Sequence, residues 1–266
     1  MAGGGNDFLV FEADGRALRE EERRRLSLLC RRGLSVGADG ALFLSPSGEG
    51  RVRVDYFNSD GGLASFCANG TRCAARYAVR HGLASEPLVL ETGWAVIPAR
   101  VDAGRVTLSL PRLPPPQDPV RVWGEGLPPT GIPMCVGVPH LVVFVERGLG
   151  SLPIDTLAPP LRRHPDLSEG ANVDFVEVTG QRRLAVRTFE RGVEGETLAC
   201  GSGVVAAAIV AAREKRVRAP VLCDTRSGVV FTVGLPADEG SGDGVTLAGD
   251  ARELFAAELT EEAWQE

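Results

Sequence analysis

Two of the six cysteines, Cys67 and Cys200, share one sequence setting that could support acid–base chemistry. Each follows a glycine-rich approach and stands directly before an alanine-rich segment, in FNSDGGLASFCANGTRCAARYA and in TFERGVEGETLACGSGVVAAAIV. The alanine-rich segments predict helices. The first turn of a helix leaves backbone N–H groups unpaired and carries partial positive charge. Such a position favours a thiolate and offers an anion site for a substrate carboxylate.

Two such sites that face each other would form a two-base device for inverting an α-carbon. One thiolate would remove the α-proton from one face, the opposing thiol would protonate the other face, and the roles would alternate. A lone cysteine near a helix start is more often a small buried apolar residue. That structural interpretation weakens when two such cysteines occupy matching positions. We assign it to the remaining four cysteines, at positions 30, 73, 135 and 223.

The chain compares with itself as two similar halves. Cys67 and Cys200 are 133 residues apart, and the segment RVRVDYFN at 51–58 matches RLAVRTFE at 183–190. GNDFLVFE at 5–12 similarly matches VPHLVVFVE at 138–146. Each half has β-branched, alternating segments typical of strands, then a glycine-rich loop, the cysteine and a helix. The predicted helices cover about 69–81 and 203–214.

A proline-rich segment separates the halves. Residues 111–133 contain eight prolines, which disfavour both a helix and a central strand. We therefore expect an extended linker and a domain boundary near residue 118. The first domain would cover 1–118 and the second 119–249.

Composition narrows the class of protein. A net charge of −6 without a basic block disfavours nucleic acid and anionic membranes as partners. We expect no signal peptide and no membrane span, and hence a cytoplasmic protein. The absence of a CxxC pair, with only three histidines, disfavours a zinc site. Lys215 is the sole lysine in the chain, which disfavours a pyridoxal phosphate enzyme because that cofactor needs a lysine for its Schiff base.

Several sequence blocks together resemble one family. They are GNDF at 5–8, GADG at 37–40, FNSDG at 57–61, CANGTRC at 67–73, PH at 139–140, NVDFV at 172–176 and ERGVEGETLACGSG at 190–203. On these blocks the chain resembles the diaminopimelate epimerases of lysine biosynthesis, which use no cofactor. The resemblance implies a mixed α/β (α+β) protein of two pseudo-symmetric domains. Each domain would be a β-barrel-like sheet around a central helix, with the active site in the cleft between them. A C-terminal segment, 250–266, would return to the first domain.

The resemblance also implies roles for individual residues. Cys67 and Cys200 would be the acid–base pair, with Glu190 at the reacting amino group and His140 close to the cysteine chemistry. Backbone groups would hold the reacting carboxylate at Ala68, Asn69, Gly201 and Ser202. The distal end of diaminopimelate would be bound by Asn6, Asn58, Asn172 and Arg191. The family often forms homodimers, so a homodimer is possible.

Each of these residues also has a structural interpretation. An asparagine beside glycine, such as Asn58 or Asn69, commonly serves a turn. Asn6 could cap a strand, and His140 could be a satisfied interior histidine. Glu190 could be a solvated charge, although the neighbouring Arg191 is a natural carboxylate ligand.

The chain departs from the family pattern in four places. Ala68 replaces the first glycine of C-G-N-G, which preserves a backbone donor if its φ angle is negative. Val138 replaces the asparagine of G-N-P-H and so removes one polar contact to the distal end. The loop ERGVEGET carries one extra residue, and the chain begins almost at GNDF, so we expect a short first strand.

Alternative functions remain open at this stage. A proline or hydroxyproline epimerase would share the fold, but that group places a histidine after C-G in the first motif, where this chain has Asn69. A racemase of another amino acid is compatible with Val138. A non-catalytic amino-acid-binding relative would have no need to retain both cysteines.

Overall fold

The structure, a computed structural model, describes residues 1–236 and 244–265. It contains two compact units, of which the first comprises Met1–Leu108 with Gly249–Glu266 and the second Ser109–Ala248. The domains expected from the sequence, 1–118 with 250–266 and 119–249, include positions 237–243 and 266, which lie outside the described residues. Those domain bounds stay a prediction.

The first unit is a mixed sheet with two helices. Its elements are β1 (Ala2–Gly3), β2 (Asn6–Glu12), α1 (Glu20–Leu29), β3 (Gly40–Gly48), β4 (Arg51–Asn58), β5 (Leu63–Ala64), α2 (Ala68–Arg80), β6 (Leu88–Glu91), β7 (Val96–Asp102) and β8 (Arg105–Ser109).

The second unit repeats that order. Its elements are β9 (Val120–Arg121), β10 (Thr130–Val136), β11 (Val138–Phe144), α3 (Ile154–Arg162), β12 (Asn172–Gly180), β13 (Arg183–Glu190), β14 (Gly195–Thr197), α4 (Gly201–Arg213), β15 (Val221–Thr225), β16 (Val230–Gly234) and β17 (Thr246–Asp250). Short 3-10 helices lie at Leu149–Ser151 and Glu261–Trp264.

Strand pairing is the same in the two units. Parallel pairs β2–β3 and β4–β6 correspond to β11–β12 and β13–β15, and the neighbouring pairs are antiparallel in both. Even the register is preserved: Ala41 pairs with Phe57 and Val173 pairs with Phe189, so both partners move by 132 positions. The pseudo-symmetry predicted from the sequence is therefore confirmed at the level of single residue pairs.

Each unit encloses one helix within its sheet. Helix α2 contacts β1, β2, β3, β4, β6 and β7, and α4 contacts β10, β11, β12, β13, β15 and β16. Residues 201–212 of α4 are all buried, which explains why that helix is apolar on every side instead of amphipathic. The predicted barrel-like sheet around a central helix is confirmed in both units.

The two remaining helices pack on the outside of their own unit. Leu26 and Leu29 of α1 pack with Ala41 and Phe57 of the first sheet. Helix α3 buries Leu161 and its neighbours against the second sheet, in a core that contains Phe175. Sequence patterning gives no indication of α3, because its interior contains Pro159 and Pro160.

One expectation about strands is wrong. Residues 111–119 of the proline-rich segment contain no strand, as expected for a linker. The rest of the segment contains β9 and the start of β10, which begins at Thr130 and pairs with β9. Pro133 lies inside β10, where its carbonyl accepts a hydrogen bond from the Gln117 backbone N–H at 2.9 Å. The expectation of a short first strand is confirmed, because β1 has two residues, and it pairs with the seven-residue β2. No helix among the described residues is both long enough and apolar enough to cross a membrane.

The burial of α4 predicts a large loss of stability when one of its side chains is truncated. We expect Val210→Ala, at a fully buried position of α4, to lower the free energy of unfolding by about 2 kcal/mol through lost burial and a residual cavity. Val178→Ala, at a position that is 36% exposed in the same unit, is the matched control and should cost far less. Urea unfolding checks both, and equal losses would contradict the central placement of α4.

Candidate active site

Cys67 is the residue that caps helix α2. Its backbone is extended, with φ −141° and ψ 111°, and its Sγ accepts a hydrogen bond from the Gly70 backbone N–H at 3.4 Å. The thiol thus occupies the position that Ser or Asp takes in an ordinary N-cap. Its side chain is only partly buried.

Cys200 occupies the equivalent position on α4. Its backbone is likewise extended, with φ −107° and ψ 115°, and its carbonyl accepts from the Val204 N–H at 3.1 Å. Cys200 is buried, in contrast to Cys67. Both helices begin directly after their cysteine, one or two residues earlier than the sequence predicts.

The early helix starts bring four predicted carboxylate-binding positions into the first turns. Ala68 and Asn69 open α2, whereas Gly201 and Ser202 open α4. Ala68 is helical and is absent from the residues with positive φ, so the condition for keeping its donor is met. The geometry of a helix start directs these N–H groups away from the helix. Carboxylate binding at these positions stays a prediction.

A buried cation lies behind Cys67. Arg72 has no exposed surface, and its guanidinium donates to the Ala68 carbonyl at 3.2 Å and to Asn69 Oδ1 at 2.6 Å. Asn69 in turn donates to Asn6 Oδ1 at 2.7 Å, and Asn6 donates to Asp39 at 2.9 Å. Two of the asparagines predicted at the substrate site, Asn6 and Asn69, therefore belong to one hydrogen-bonded network.

Arg72 remains charged at neutral pH. Burial lowers its pKa to about 10, and the negative charges available at Cys73, Asp250 and Cys67 oppose that fall. The sequence analysis missed this residue. A signal was available, since an arginine placed among the small residues Thr71, Cys73 and Ala74 of a predicted central helix needs a buried partner.

A buried polar network lies behind Cys200. His140 Nδ1 is 2.7 Å from Asp174 Oδ2, and His140 Nε2 is 3.0 Å from Ser202 Oγ. Ser202 Oγ is 3.3 Å from Cys200 Sγ. Thr188 donates to the second oxygen of Asp174 at 2.7 Å. His140 is thus both the interior histidine of the structural interpretation and a neighbour of the cysteine.

The surroundings of Cys200 favour its thiol form. Burial raises the pKa of Cys200 well above its ordinary value, and the nearby carboxylates of Glu190 and Asp174 raise it further. Hydrogen bonds with the Ser202 side chain and with the Gly203 backbone act in the opposite direction. A proton acceptor close to the sulfur is therefore needed if this cysteine is to act as a base.

Asp174 explains why the residue after Ser202 is a glycine. A Cβ atom on Gly203 would stand 2.3 Å from Asp174 Oδ1 and 3.1 Å from the Thr188 hydroxyl. Asp174 was not among the residues predicted from the sequence. A carboxylate in the middle of a strand that is otherwise buried and apolar was the available signal.

Two predicted site residues, Glu190 and Arg191, lie where the loop before Cys200 begins, and a third, Asn172, contacts that loop from the start of β12. Glu190 accepts from the Thr197 hydroxyl at 2.6 Å. Asn172 accepts from the Arg191 backbone N–H at 2.7 Å, and the Arg191 side chain donates to the Glu169 carbonyl at 2.9 Å. These contacts fix the loop, and the substrate roles of the three residues stay predictions.

Asn58 ends strand β4 and is exposed. Its carbonyl accepts from the Gly61 N–H and its N–H donates to the Gly62 carbonyl, both at 2.9 Å, so its backbone closes a turn. The turn leaves its side chain available to a ligand. Val138, in place of the family asparagine, is half-buried at the start of β11.

None of the remaining four cysteines stands directly before a helix. Burial raises the pKa of Cys73 to about 12 and that of Cys30 to about 11. It also raises the pKa of Cys223 and that of Cys135, which is less deeply buried. Within the described part of the chain, no group of three or more His, Cys, Asp or Glu side chains is arranged to hold a metal ion.

Comparison with known proteins finds one family that matches most of the chain. The sequence profile of the family described as diaminopimelate epimerase matches residues 1–103 and 134–242. A diaminopimelate epimerase of Archaeoglobus fulgidus is 40% identical, over 96% of this chain and 93% of its own length. One of Aquifex aeolicus is 35% identical, over 98% and 97%.

Solved structures share the fold at low identity. A phenazine biosynthesis protein of Bacillus anthracis has a TM-score of 0.62 at 17% identity, covering 90% of this chain and 87% of its own. A hydroxyproline epimerase of Agrobacterium vitis, with bound trans-4-hydroxy-L-proline, has a TM-score of 0.58 at 19% identity, covering 86% and 77%. The two-unit α+β fold is therefore one that several proteins adopt.

The unequal settings of the thiols predict an order of chemical modification. At neutral pH without substrate, we expect iodoacetamide to alkylate Cys67 at least about ten-fold faster than Cys200, because the thiolate is the reactive form and burial keeps Cys200 protonated. Peptide mass spectrometry after timed quenching measures each site, with Cys73 as the internal control that should react only after denaturation. Modification of Cys200 before Cys67 would contradict the assignment.

Proposed function

Because the chain belongs to the diaminopimelate epimerase family, we propose that it interconverts LL-2,6-diaminopimelate and meso-diaminopimelate without pyridoxal phosphate, as a step of lysine biosynthesis. The observation that carries the proposal is the repeated one: in each unit a cysteine caps the enclosed helix, within a family match that spans both units.

The proposed reaction uses the two thiols on opposite faces of one α-carbon. The thiolate of one cysteine takes the α-proton, and the C–H electron pair stays on the substrate as a carbanion stabilised by its carboxylate. The thiol of the other cysteine then delivers a proton to the opposite face. The enzyme ends with the protonation states of Cys67 and Cys200 exchanged, and either the reverse reaction or proton exchange with solvent restores them.

Helix starts supply the electrostatic part of the proposal. A carboxylate bound by the first-turn N–H groups, at Ala68 and Asn69 or at Gly201 and Ser202, would meet fixed donors as negative charge develops on it. Such donors need no reorganisation during the reaction, which is the usual source of electrostatic catalysis. Glu190 would hold the reacting amino group, since it lies near Cys200 and carries a negative charge.

Substrate choice depends on the distal end. Asn6, Asn58, Asn172 and Arg191 are the proposed ligands of the distal amino acid. Val138 lacks the amide that the family pattern has there, which keeps a racemase of a different amino acid as the second candidate. Competition between diaminopimelate and other amino acids for α-proton exchange separates the two.

Four further properties belong to the same proposal. We infer a cytoplasmic enzyme that binds neither nucleic acid nor membrane, in keeping with its net charge of −6. It would act without a cofactor and could form a homodimer. Size-exclusion chromatography with light scattering tests the last of these.

Proton exchange with solvent tests the reaction itself. Reduced protein incubated with LL-diaminopimelate in D₂O should yield the meso isomer with deuterium at one α-carbon, because the proton returned comes from a thiol that has equilibrated with solvent. Chiral chromatography with mass spectrometry measures it, and circular dichroism verifies the fold. Folded protein that exchanges no α-proton would exclude the proposal.

Substitution of individual cysteines tests the assignment of the bases. Cys67→Ala and Cys200→Ala should each lower kcat by at least about 10³-fold, since neither proton transfer has a substitute. Cys73→Ala, which removes a fully buried thiol from the same helix as Cys67, is the matched control and should keep most of the activity. An equal loss in all three variants would mean that the effect is one of folding.

A further inference from the structure

The two units have the same backbone arrangement, but different side chains surround their helix-capping cysteines. In the second unit a group of polar side chains surrounds the start of α4, and the equivalent positions of the first unit, found from the common strand register and helix start, carry other residues. The pairs are His140 with Phe8, Asp174 with Leu42, Thr188 with Tyr56 and Ser202 with Asn69.

Contacts at two equivalent glycines display this difference. The Cβ position of Gly203 is crowded by Asp174 and Thr188, whereas that of Gly70 is nearest to Leu42, at 3.1 Å, and to Phe8, at 3.5 Å. An apolar wall therefore stands in the first unit where the second has a carboxylate. Duplication of the fold does not account for Asp174, so its reason is particular to the second unit.

The hydrogen bonds assign the protons of the second network. Asp174 is fully buried, and its two oxygens face a hydroxyl donor, Thr188, and the His140 ring. An ionised carboxylate can only accept, so His140 carries its proton on Nδ1. Nε2 is left as an acceptor, which directs the Ser202 hydroxyl proton toward it, and Ser202 Oγ can then accept the Cys200 thiol proton.

We propose that Cys200, Ser202 and His140 form a proton relay, and that Asp174 is the positioning residue that fixes its direction. This inference rests on the proposed function, because it describes how one of the two proposed bases is activated. Asp174 has no direct role toward the substrate. It acts through His140 by holding one tautomer and one ring orientation.

The relay step is a double proton shift. The Cys200 S–H bond breaks as an O–H bond forms on Ser202, and the original Ser202 O–H bond breaks as an N–H bond forms on His140 Nε2. Neutral thiol and neutral imidazole become thiolate and imidazolium, Ser202 ends as a hydroxyl, and Asp174 remains a carboxylate. No co-reactant is needed.

Charge explains why a relay is useful at this position. A thiolate at Cys200 faces the carboxylates of Glu190 and Asp174 in a buried site, which disfavours removal of its proton to bulk water. Transfer to His140 keeps the proton in the network and leaves its net charge unchanged. The imidazolium that forms lies 2.7 Å from Asp174, where it is paired.

Cys67 has no counterpart of this relay at the equivalent positions. Its unit contributes a permanent buried cation, Arg72, which interacts with Cys67 and stays charged at neutral pH. Cys67 thus lies near the permanent positive charge of Arg72. Cys200 lies near His140, which is positively charged only after it has taken up a proton. The competing interpretation is that the Asp174 network only packs β11, β12, β13 and α4 together.

Three variants and three readouts separate these interpretations. The chain has only three histidines, so ¹⁵N-histidine NMR of the full-length protein resolves the ring, with the His140 signal identified by its loss in His140→Gln. We expect wild-type His140 to be protonated at Nδ1 alone. Asp174→Asn should disturb that tautomer and lower kcat by about 10²-fold or more, with KM changed by less than about three-fold.

Ser202→Ala breaks the relay without touching the Asp174–His140 pair. We expect it to leave the His140 tautomer unchanged, to lower kcat by about 10²-fold, and to slow alkylation of Cys200 but not of Cys67. Asp224→Asn, which alters an exposed carboxylate paired with Arg183 in the same unit, is the control and should match wild type.

The proposal is overturned if Ser202→Ala or folded Asp174→Asn keeps kcat within about three-fold of wild type, or if wild-type His140 is protonated at Nε2. If Asp174→Asn does not fold, Ser202→Ala and the wild-type tautomer still decide the matter. The spectra and the alkylation rates require no substrate. A wild-type protein that fails to epimerise diaminopimelate would therefore refute the proposed function while the relay is judged separately.

Discussion

The candidate site depends on one constraint: in each unit a helix begins inside the sheet that encloses it. A helix enclosed by strands cannot present its first N–H groups to bulk water, so the residue that caps it and the side chains around it must be chosen for those donors. In both units that cap is a cysteine with extended backbone, followed by a first turn of small residues. Small residues keep the donors accessible to a ligand, and an enclosed helix holds them in place.

The same backbone arrangement places the two cysteines in different electrostatic surroundings. Cys67 is partly exposed and has Arg72 within its own helix, whereas Cys200 is buried among carboxylates with His140 and Ser202 beside it. The two thiols therefore differ in the groups that can hold their protons or balance their charge. The duplication of the fold leaves room for this difference because only the strand register has to be preserved.

Much of the fold follows from sequence patterns because both units bury their sheets and one helix completely. Alternating β-branched segments gave strands such as β6, and the alanine-rich segments gave α2 and α4 to within two residues. Helix α3 was missed because its burial against the second sheet outweighs the two prolines in its interior. Strand β10 was missed for a similar reason, since its pairing with β11 and β9 outweighs the presence of Pro133.

The sequence by itself determined the duplication, the two cysteines and the family, because these are carried by residue identity and spacing along the chain. Only the tertiary structure decided what stands behind each thiol. Arg72, Asp174 and Thr188 come from separate positions in the chain, and their importance comes from burial and hydrogen-bond partners that strand pairing creates. Charge in a buried site depends on three-dimensional neighbours. A sequence motif can therefore name a cysteine as a candidate base but cannot say how its proton is held.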